Sequence, residues 1–406
     1  MKNYKVNLQN GDFAYLADQS YLAIKKETTA GVAVTPNVFI PLVSADIKTV
    51  VNHNVDRRMR GIDWKGADLI KGNRSHEGEV KIYGDADNIG YFLNMLMVKG
   101  STTGDSNGYT HPFTVGNGAT YTFEIKKGLY AQRFFGVRIE EMRMEFEEGQ
   151  LVVTLIVKAM GQIGIGSVGV ALTGAGMTSL VLDDGYDIAP NTGLVVGDVI
   201  NVGGVDVTIT SVNANGTTVG FASTTITASV GDAVYLKPQT VTQPTIYNPF
   251  YLGNVLVGIG SDASASATAS ASRSTATPIY DCTISFKNNL FTQNGSNRLD
   301  PVQIIPKTKE AQVSLKQLFT SAGQRQAFLD RKKQAITFAF LGGFIKSDFT
   351  TQEKLTLTFN NVKLVEHNNP IEVGELIVDE EKFEVLYDAT DGQAMSASLI
   401  NRTSTY

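Results

Sequence analysis

"EGEVKIYGDADNIGYFLNML" (Glu77–Leu96) and "EAQVSLKQLFTSAGQRQAFL" (Glu310–Leu329) are the two stretches on which the reading of this chain turns. Each opens with alternating apolar positions, as in a strand with one buried face, and then changes character. In the first, Ile89, Phe92, Leu93, Leu96 and Met97 fall on one helical stripe. Asp85 or Asp87 can cap its start and Lys99-Gly100 closes it, which predicts a helix over 85–98. In the second, Ser321 and Gln324 have the spacing of a capping box. Arg331, Lys332 and Lys333 follow where the helix dipole favours cations, and the spacing predicts a helix over about 321–333.

The surroundings repeat in the same order. A strand, Asp46–Val55, and a charged loop precede the first stretch; "DCTISFK" (Asp281–Lys287) and a long polar loop precede the second. After the first come "TYTFEI" (Thr120–Ile125), "VRIEEMRMEF" (Val137–Phe146), a Glu148-Gly149 turn and the almost wholly apolar "LVVTLIVKAM" (Leu151–Met160). After the second come "AITFAF" (Ala335–Phe340), "KLTLTFNNVKLVEH" (Lys354–His367) and "EVGELIVDEEKFEVLYDA" (Glu372–Ala389). Residue identity is low, so the match is one of element order, and it predicts a structural duplication.

Between the two lies a segment of another kind. From 165 to 240 there is no Glu, no Arg and no helical period, only short β-runs separated by turns such as Gly203-Gly204 and Gly231-Asp232. That pattern fits a small barrel or sandwich. The organisation is therefore a mainly β (α+β) chain with two short helices. Two β-sandwich or barrel modules stand in tandem, 1–164 and 241–406, with an inserted small all-β domain at 165–240. At 406 residues the chain exceeds what one growing core usually serves, in keeping with several units.

Charge narrows the partners. The middle segment carries six acids against one base, Lys237, a net −5 that equals the charge of the whole chain, so the rest is neutral. A nucleic-acid reader would show a concentrated basic face, and none is visible. The single cysteine, Cys282, excludes an internal disulfide and a multi-cysteine metal site. The opening residues lack the apolar core of a signal peptide and no long apolar run offers a membrane span, so a cytoplasmic origin without membrane insertion is expected.

Catalytic constellations are missing as well. "GIGSVG" (Gly164–Gly169) satisfies G-x-G-x-x-G, but no helical period follows to bring a positive helix end to a pyrophosphate, and the glycines read as a joint into the inserted domain. His76 beside Glu77 and Glu79 reads as plain surface, and Cys282 as a small buried hydrophobe. Glu140-Glu141, Glu147-Glu148 and Glu380-Glu381 are neighbours along strands, hence on opposite faces, and suit a solvated edge rather than acid–base work on one bond. No enzyme, cofactor or metal is expected.

One loop stands out. Asp56–Arg74 carries Arg57, Arg58, Arg60, Asp63, the only tryptophan Trp64, Lys65, Lys71 and Arg74. Arginines around one aromatic anchor in a long loop have the composition of a subunit interface. "SDASASATASASRSTAT" (Ser261–Thr277) reads either as a linker or as a strand with one alanine face and one hydroxyl face.

"KKETTAGVAVTP" (Lys25–Pro36), closely followed by "FIPL", resembles the N-terminal signature of bacteriophage tail tube proteins, and the ending "SASLINRTSTY" is similar to theirs. The order of long hairpin, strand, helix and closing strands resembles their fold in both outer parts, and the middle domain looks like the outward-facing insertions some of them carry. The resemblance implies a structural virion protein, a major tail tube subunit, whose stacked rings form a hollow conduit for phage DNA. It implies partners: further copies of itself, the tape-measure protein and DNA in the lumen, and tail tip and tail terminator proteins. The Asp56–Arg74 loop would then reach a neighbouring ring. The arm bearing Lys25, Lys26, Glu27, Thr28, Thr29, Gly31 and Pro36 would pack across a subunit boundary. Two modules per chain would make a ring of six from three chains, a trimer with pseudo-six-fold symmetry, against a true hexamer. A secreted β-domain adhesion protein is the alternative reading, and a dinucleotide enzyme rests on "GIGSVG" alone.

Overall fold

The computed structural model describes residues 20–55, 69–183, 193–213, 217–241, 247–260, 278–296, 299–319, 322–346, 350–371, 376–390 and 392–406. The first part contains β1 (Leu22–Lys26), β2 (Val38–Ile40), β3 (Ser44–Val55), β4 (Leu69–Tyr83) and helix α1 (Ile89–Leu96). It continues with β5 (Val98–Lys99), β6 (Thr103–Asp105), β7 (Gly108–Thr114), β8 (Tyr121–Lys127), β9 (Tyr130–Glu147), β10 (Gln150–Ala159) and β11 (Gly161–Ile163). The middle contributes β12 (Ile165–Ser167), β13 (Leu172–Val181), β14 (Val199–Val202), β15 (Val205–Val212), β16 (Thr218–Ala228) and β17 (Ala233–Leu236). The last part holds β18 (Val255–Gly260), β19 (Ile279–Lys287), β20 (Phe291–Gln293), β21 (Gln303–Ile305), β22 (Glu310–Leu318) and helix α2 (Gly323–Leu329). Strands β23 (Gln334–Phe344), β24 (Gln352–Asn368), β25 (Val378–Val385) and β26 (Met395–Asn401) complete it. The chain is mainly β with two helices, as its patterning predicts.

Pairing repeats as faithfully as order. In the first part β3 pairs β4, β4 pairs β10 and β10 pairs β9, all antiparallel. In the last part β19 pairs β22, β22 pairs β25 and β25 pairs β24, again antiparallel. The long strands β9 and β24 each serve two sheets. The start of β9 leaves to pair β8 and β11, with β1 beyond β8; the start of β24 pairs β23 and β26, with β18 beyond β23. Each helix follows the second strand of its set, as the two opening stretches require.

The halves share one core. Apolar side chains from both fill a single cluster in which Phe146 stacks on Phe340 at 6.2 Å and Phe286 on Phe359 at 6.1 Å. The middle strands form a separate six-stranded sheet in the order β12-β17-β14-β15-β16-β13, with a bridge from Val168 to Leu182 bringing its ends together and an apolar cluster of its own. "GIGSVG" enters this sheet as β12. A Cβ on Gly169 would meet the backbone of Leu182 and Asp183 at 2.9 Å, so close strand approach, not phosphate, accounts for that glycine. The Glu148-Gly149 pair makes the expected two-residue hairpin, both at positive φ (49° and 80°) between Glu147 and Gln150.

Both helices are shorter than their sequence signals. Residues 86–88 form a turn, and the Asp85 carboxylate accepts the backbone N–H groups of Asp87 and Asn88 at 3.0 and 2.8 Å before α1 begins at Ile89. Helix α2 stops at Leu329 because Arg331 takes a left-handed φ of 51°. The Lys332 N–H then closes on the Ala327 carbonyl (3.0 Å) and the Arg331 N–H on that of Phe328 (3.2 Å). Arg331, Lys332 and Lys333 therefore lie beyond the helix, and Lys333 pairs with Asp388 at 2.6 Å. Ser321 of the capping-box pair lies outside the described residues.

Two polar residues read as surface are core. His76 is buried, with Nδ1 against the Thr49 hydroxyl (2.8 Å) and Nε2 against Asp300 (2.9 Å), because its β4 position faces inward. Glu381 is 2% exposed while Glu380 beside it pairs with Lys316 on the outer face. Alternation along β25 puts these neighbours on opposite faces, as expected, and one of those faces is the interior.

Candidate assembly site

The two strand sets meet edge to edge. Thr283–Lys287 of β19 pairs antiparallel with Glu141–Glu145 of β9, giving a continuous run β3-β4-β10-β9-β19-β22-β25-β24. Because the sets are alike, this junction has a second, unused version. Among the described residues, Leu364–Asn368 of β24 has β25 along one edge and no strand along the other. Strand β3 likewise pairs β4 alone. These are the counterparts of the edges that β9 and β19 use on each other. Exposed Val43 and Val50 flank or lie on one, and Val365 lies on the other.

The face of this run turned away from the core is a charge ladder. Lys81 pairs with Glu147 (2.5 Å), Arg143 with Glu145 (2.8 Å), Lys287 with Glu141 (3.4 Å), Lys316 with Glu380 (3.2 Å) and Lys382 with Glu366 (3.4 Å). Lys158 pairs with Glu140, so Glu140 and Glu141 share this face instead of lying on opposite ones, because the bulge at Ile156/Val157 leaves Glu140 as an extra residue in β9. Exposed pairs of this kind add little stability, but each cation is answered by a neighbouring carboxylate. Among the described residues these pairs leave no stripe of uncompensated cations of the kind a phosphate backbone would need.

The inserted sheet is fastened to the body by one buried cation. Arg133 on β9 donates to both oxygens of Asp198 (2.6 and 3.0 Å), to Glu124 Oε2 through Nε (3.1 Å) and Nη2 (2.7 Å), and to the Gly193 carbonyl (3.1 Å). All five guanidinium donors are used. Burial works against its charge, yet Asp198 and Glu124 hold its pKa above the usual arginine value. Tyr21 and Gln239 donate to the remaining Glu124 oxygen at 2.8 and 3.1 Å, tying the start of β1 and the last residues of the insertion into one network.

The N-terminal motif has a structural role. Strand β1 is covered on both edges by β2 and β8 of its own chain, and Leu22, Ala23 and Ile24 are fully buried. Lys25 and Lys26 end that strand, Thr28 and Thr29 are exposed, and Pro36 is buried. Glu27 is the residue the sequence reading undervalued: its buried carboxylate accepts the N–H of Gly31 (2.8 Å), the N–H of Gly136 (2.7 Å) and the Thr122 hydroxyl (2.9 Å). A glutamate flanked by small turn-formers was the available signal. In the loop, Arg57, Arg58, Arg60, Asp63, Trp64 and Lys65 lie outside the described residues, as does Ser261–Thr277, and Lys71 is placed on β4. Arg74 is held within the chain, its backbone N–H on the Leu299 carbonyl (2.8 Å) and its Nε 3.8 Å from Asp300.

Among the described residues the most prominent features are two sheet edges without a partner strand and a polar face of paired charges. Residues 17–217 match the family model of the phage tail tube protein, and the chain belongs to that family. Its role is thereby a structural one in a phage tail. No curated protein matches the chain. Among the described residues no helix is long and apolar enough to cross a membrane.

Proposed function

We propose that the chain is a two-module tail tube subunit and that three copies close into a ring of six modules. The observation that carries this reading is the repeated strand order, with one β9–β19 junction made inside the chain and its counterpart edges on β24 and β3 without a partner strand among the described residues. An edge of each kind is the condition for a head-to-tail contact, which generates rings when the rotation closes. Modules at 1–164 and 241–406, with the insertion at 165–240 outside the wall, are part of the proposal.

Each chain supplies eight strands to the wall, so three supply 24. At about 4.8 Å between strands and a tilt of about 40°, such a barrel is roughly 50 Å across between backbones. The charge ladder faces this lumen, where DNA and the tape-measure protein slide past without being gripped. Stacked rings, with the hairpin that joins β3 to β4 reaching the next ring, make the tube; its Leu69–Arg74 part is strand rather than loop. Tail tip and terminator proteins bound its ends, and assembly takes place in the host cytoplasm.

The internal junction predicts the register between copies. Ser44 holds the place of Thr283, and Asn368 that of Glu145, so Ser44 of one copy lies opposite Asn368 of the next. The double variant Ser44→Cys/Asn368→Cys is expected to cross-link under oxidation into a ladder ending at a closed three-chain product. A closed six-chain product replaces the trimer by a hexamer. Rings seen by electron microscopy that do not cross-link refute the edge assignment.

A further inference from the structure

The repeat also singles out where the halves differ. Val80 and Val313 each stand three residues after the glutamate that opens their stretch. Two residues on, Ile82 faces Val153 on β10, and Leu315 faces Glu381 on β25. Val153 in turn faces Met144 on β9, and Glu381 faces His367 on β24. Leu151 and Asp379 lie two residues before Val153 and Glu381. A corner of Met144, Leu151 and Val153, each no more than 1% exposed in the first half, is thus His367, Asp379 and Glu381 in the second.

That exchange is costly. An apolar corner that packs well is replaced by an imidazole and two carboxylates, and the new groups stay buried, with side-chain exposures of 4% for His367 and 3% for Asp379. Their hydrogen bonding accounts for only part of their capacity. Gln317 donates to Glu381 Oε1 at 2.9 Å and Asn369 donates to Asp379. Glu381 Oε2 and His367 Nε2 are buried with no hydrogen bond among the described residues. No lysine or arginine pairs with either carboxylate there. The ring of Phe328 from α2 stacks on His367 at 6.3 Å and closes the apolar side.

We propose that His367, Asp379 and Glu381 bind a divalent transition-metal cation of the zinc type. The three ligand atoms lie within 4.8 Å of one another, and His367 Nε2 is 3.2 Å from Asp379 Oδ1. Tetrahedral zinc with bonds of 2.0–2.2 Å sets its ligands about 3.3 Å apart, so the imidazole and Asp379 already stand at coordination spacing. A cation supplies the charge these groups lack, and three protein ligands of His/Asp/Glu type suit zinc, leaving a fourth position for water. It would bind β24 to β25 beside the open edge of β24. The proposal does not depend on ring closure.

The test is zinc titration of the EDTA-treated full chain by calorimetry, with cobalt substitution read by visible absorption. One site per chain with a dissociation constant of micromolar or tighter is expected, and so is the d–d spectrum of four-coordinate cobalt. At a hundredfold excess over that constant the melting temperature should rise by about 3 °C. The triple variant His367→Met/Asp379→Leu/Glu381→Val installs the first-half residues and should fold while losing the site. Glu381→Gln should weaken binding at least tenfold with the fold unchanged. Absence of binding to the parent chain, or equal binding by the triple variant, overturns the proposal.

Discussion

Replacing Arg133 by leucine should loosen the inserted sheet from the body. The arginine is 1% exposed, and its removal leaves Glu124 and Asp198, 0% and 4% exposed, without their cation. Five hydrogen bonds disappear together, and two carboxylates face each other across the gap. Breaking a buried pair by deleting one partner costs about 3–5 kcal/mol, most of it the penalty of the charge left behind. For a chain of this size that corresponds to roughly 5 °C in melting temperature if it unfolds as one unit. The assay is guanidinium unfolding beside limited proteolysis, with new cleavage expected at the two joints of the insertion, near 164 and 240. Arg133→Lys keeps the charge but not the planar fork, so it should recover less than half of the loss. A leucine variant within 1 kcal/mol of the parent, with unchanged proteolysis, would refute the view that this cation fastens the insertion.

Three further outcomes are expected. Glu27→Ala removes the carboxylate that accepts from Gly31, Gly136 and the Thr122 hydroxyl in the interior and should cost about 2–3 kcal/mol in chemical denaturation, although the motif looks like a plain turn. Gly90→Ala, usually favourable within a helix, should destabilise by about 1–3 kcal/mol, because a Cβ there meets the Tyr406 ring at 2.2 Å; adding Tyr406→Ala should remove most of the coupling in a double-mutant cycle. Arg331→Gly should raise stability by about 1 kcal/mol, since the left-handed conformation that closes α2 costs arginine what it does not cost glycine.

Much of the architecture was legible in the residues. Alternation placed β4, β9, β19, β22 and β24, the stripe from Ile89 to Met97 placed α1, and the change of composition after Gly164 marked the six-stranded sheet. The candidate site was legible only in part. The loop around Trp64 advertised itself by composition, whereas the open edges of β3 and β24 carry no compositional mark, since an unpaired strand has the same alternation as a paired one. Local sequence therefore determined which segments become strands and helices, and that two runs of like element order flank a segment of different composition, because period and turn chemistry are properties of neighbouring residues. Tertiary structure alone decided that β9 meets β19 while β24 and β3 keep an edge without a partner strand among the described residues. It also set Arg133 between Glu124 and Asp198 and gathered His367, Asp379 and Glu381 into one corner, because pairing register and burial bring together groups that the sequence keeps apart.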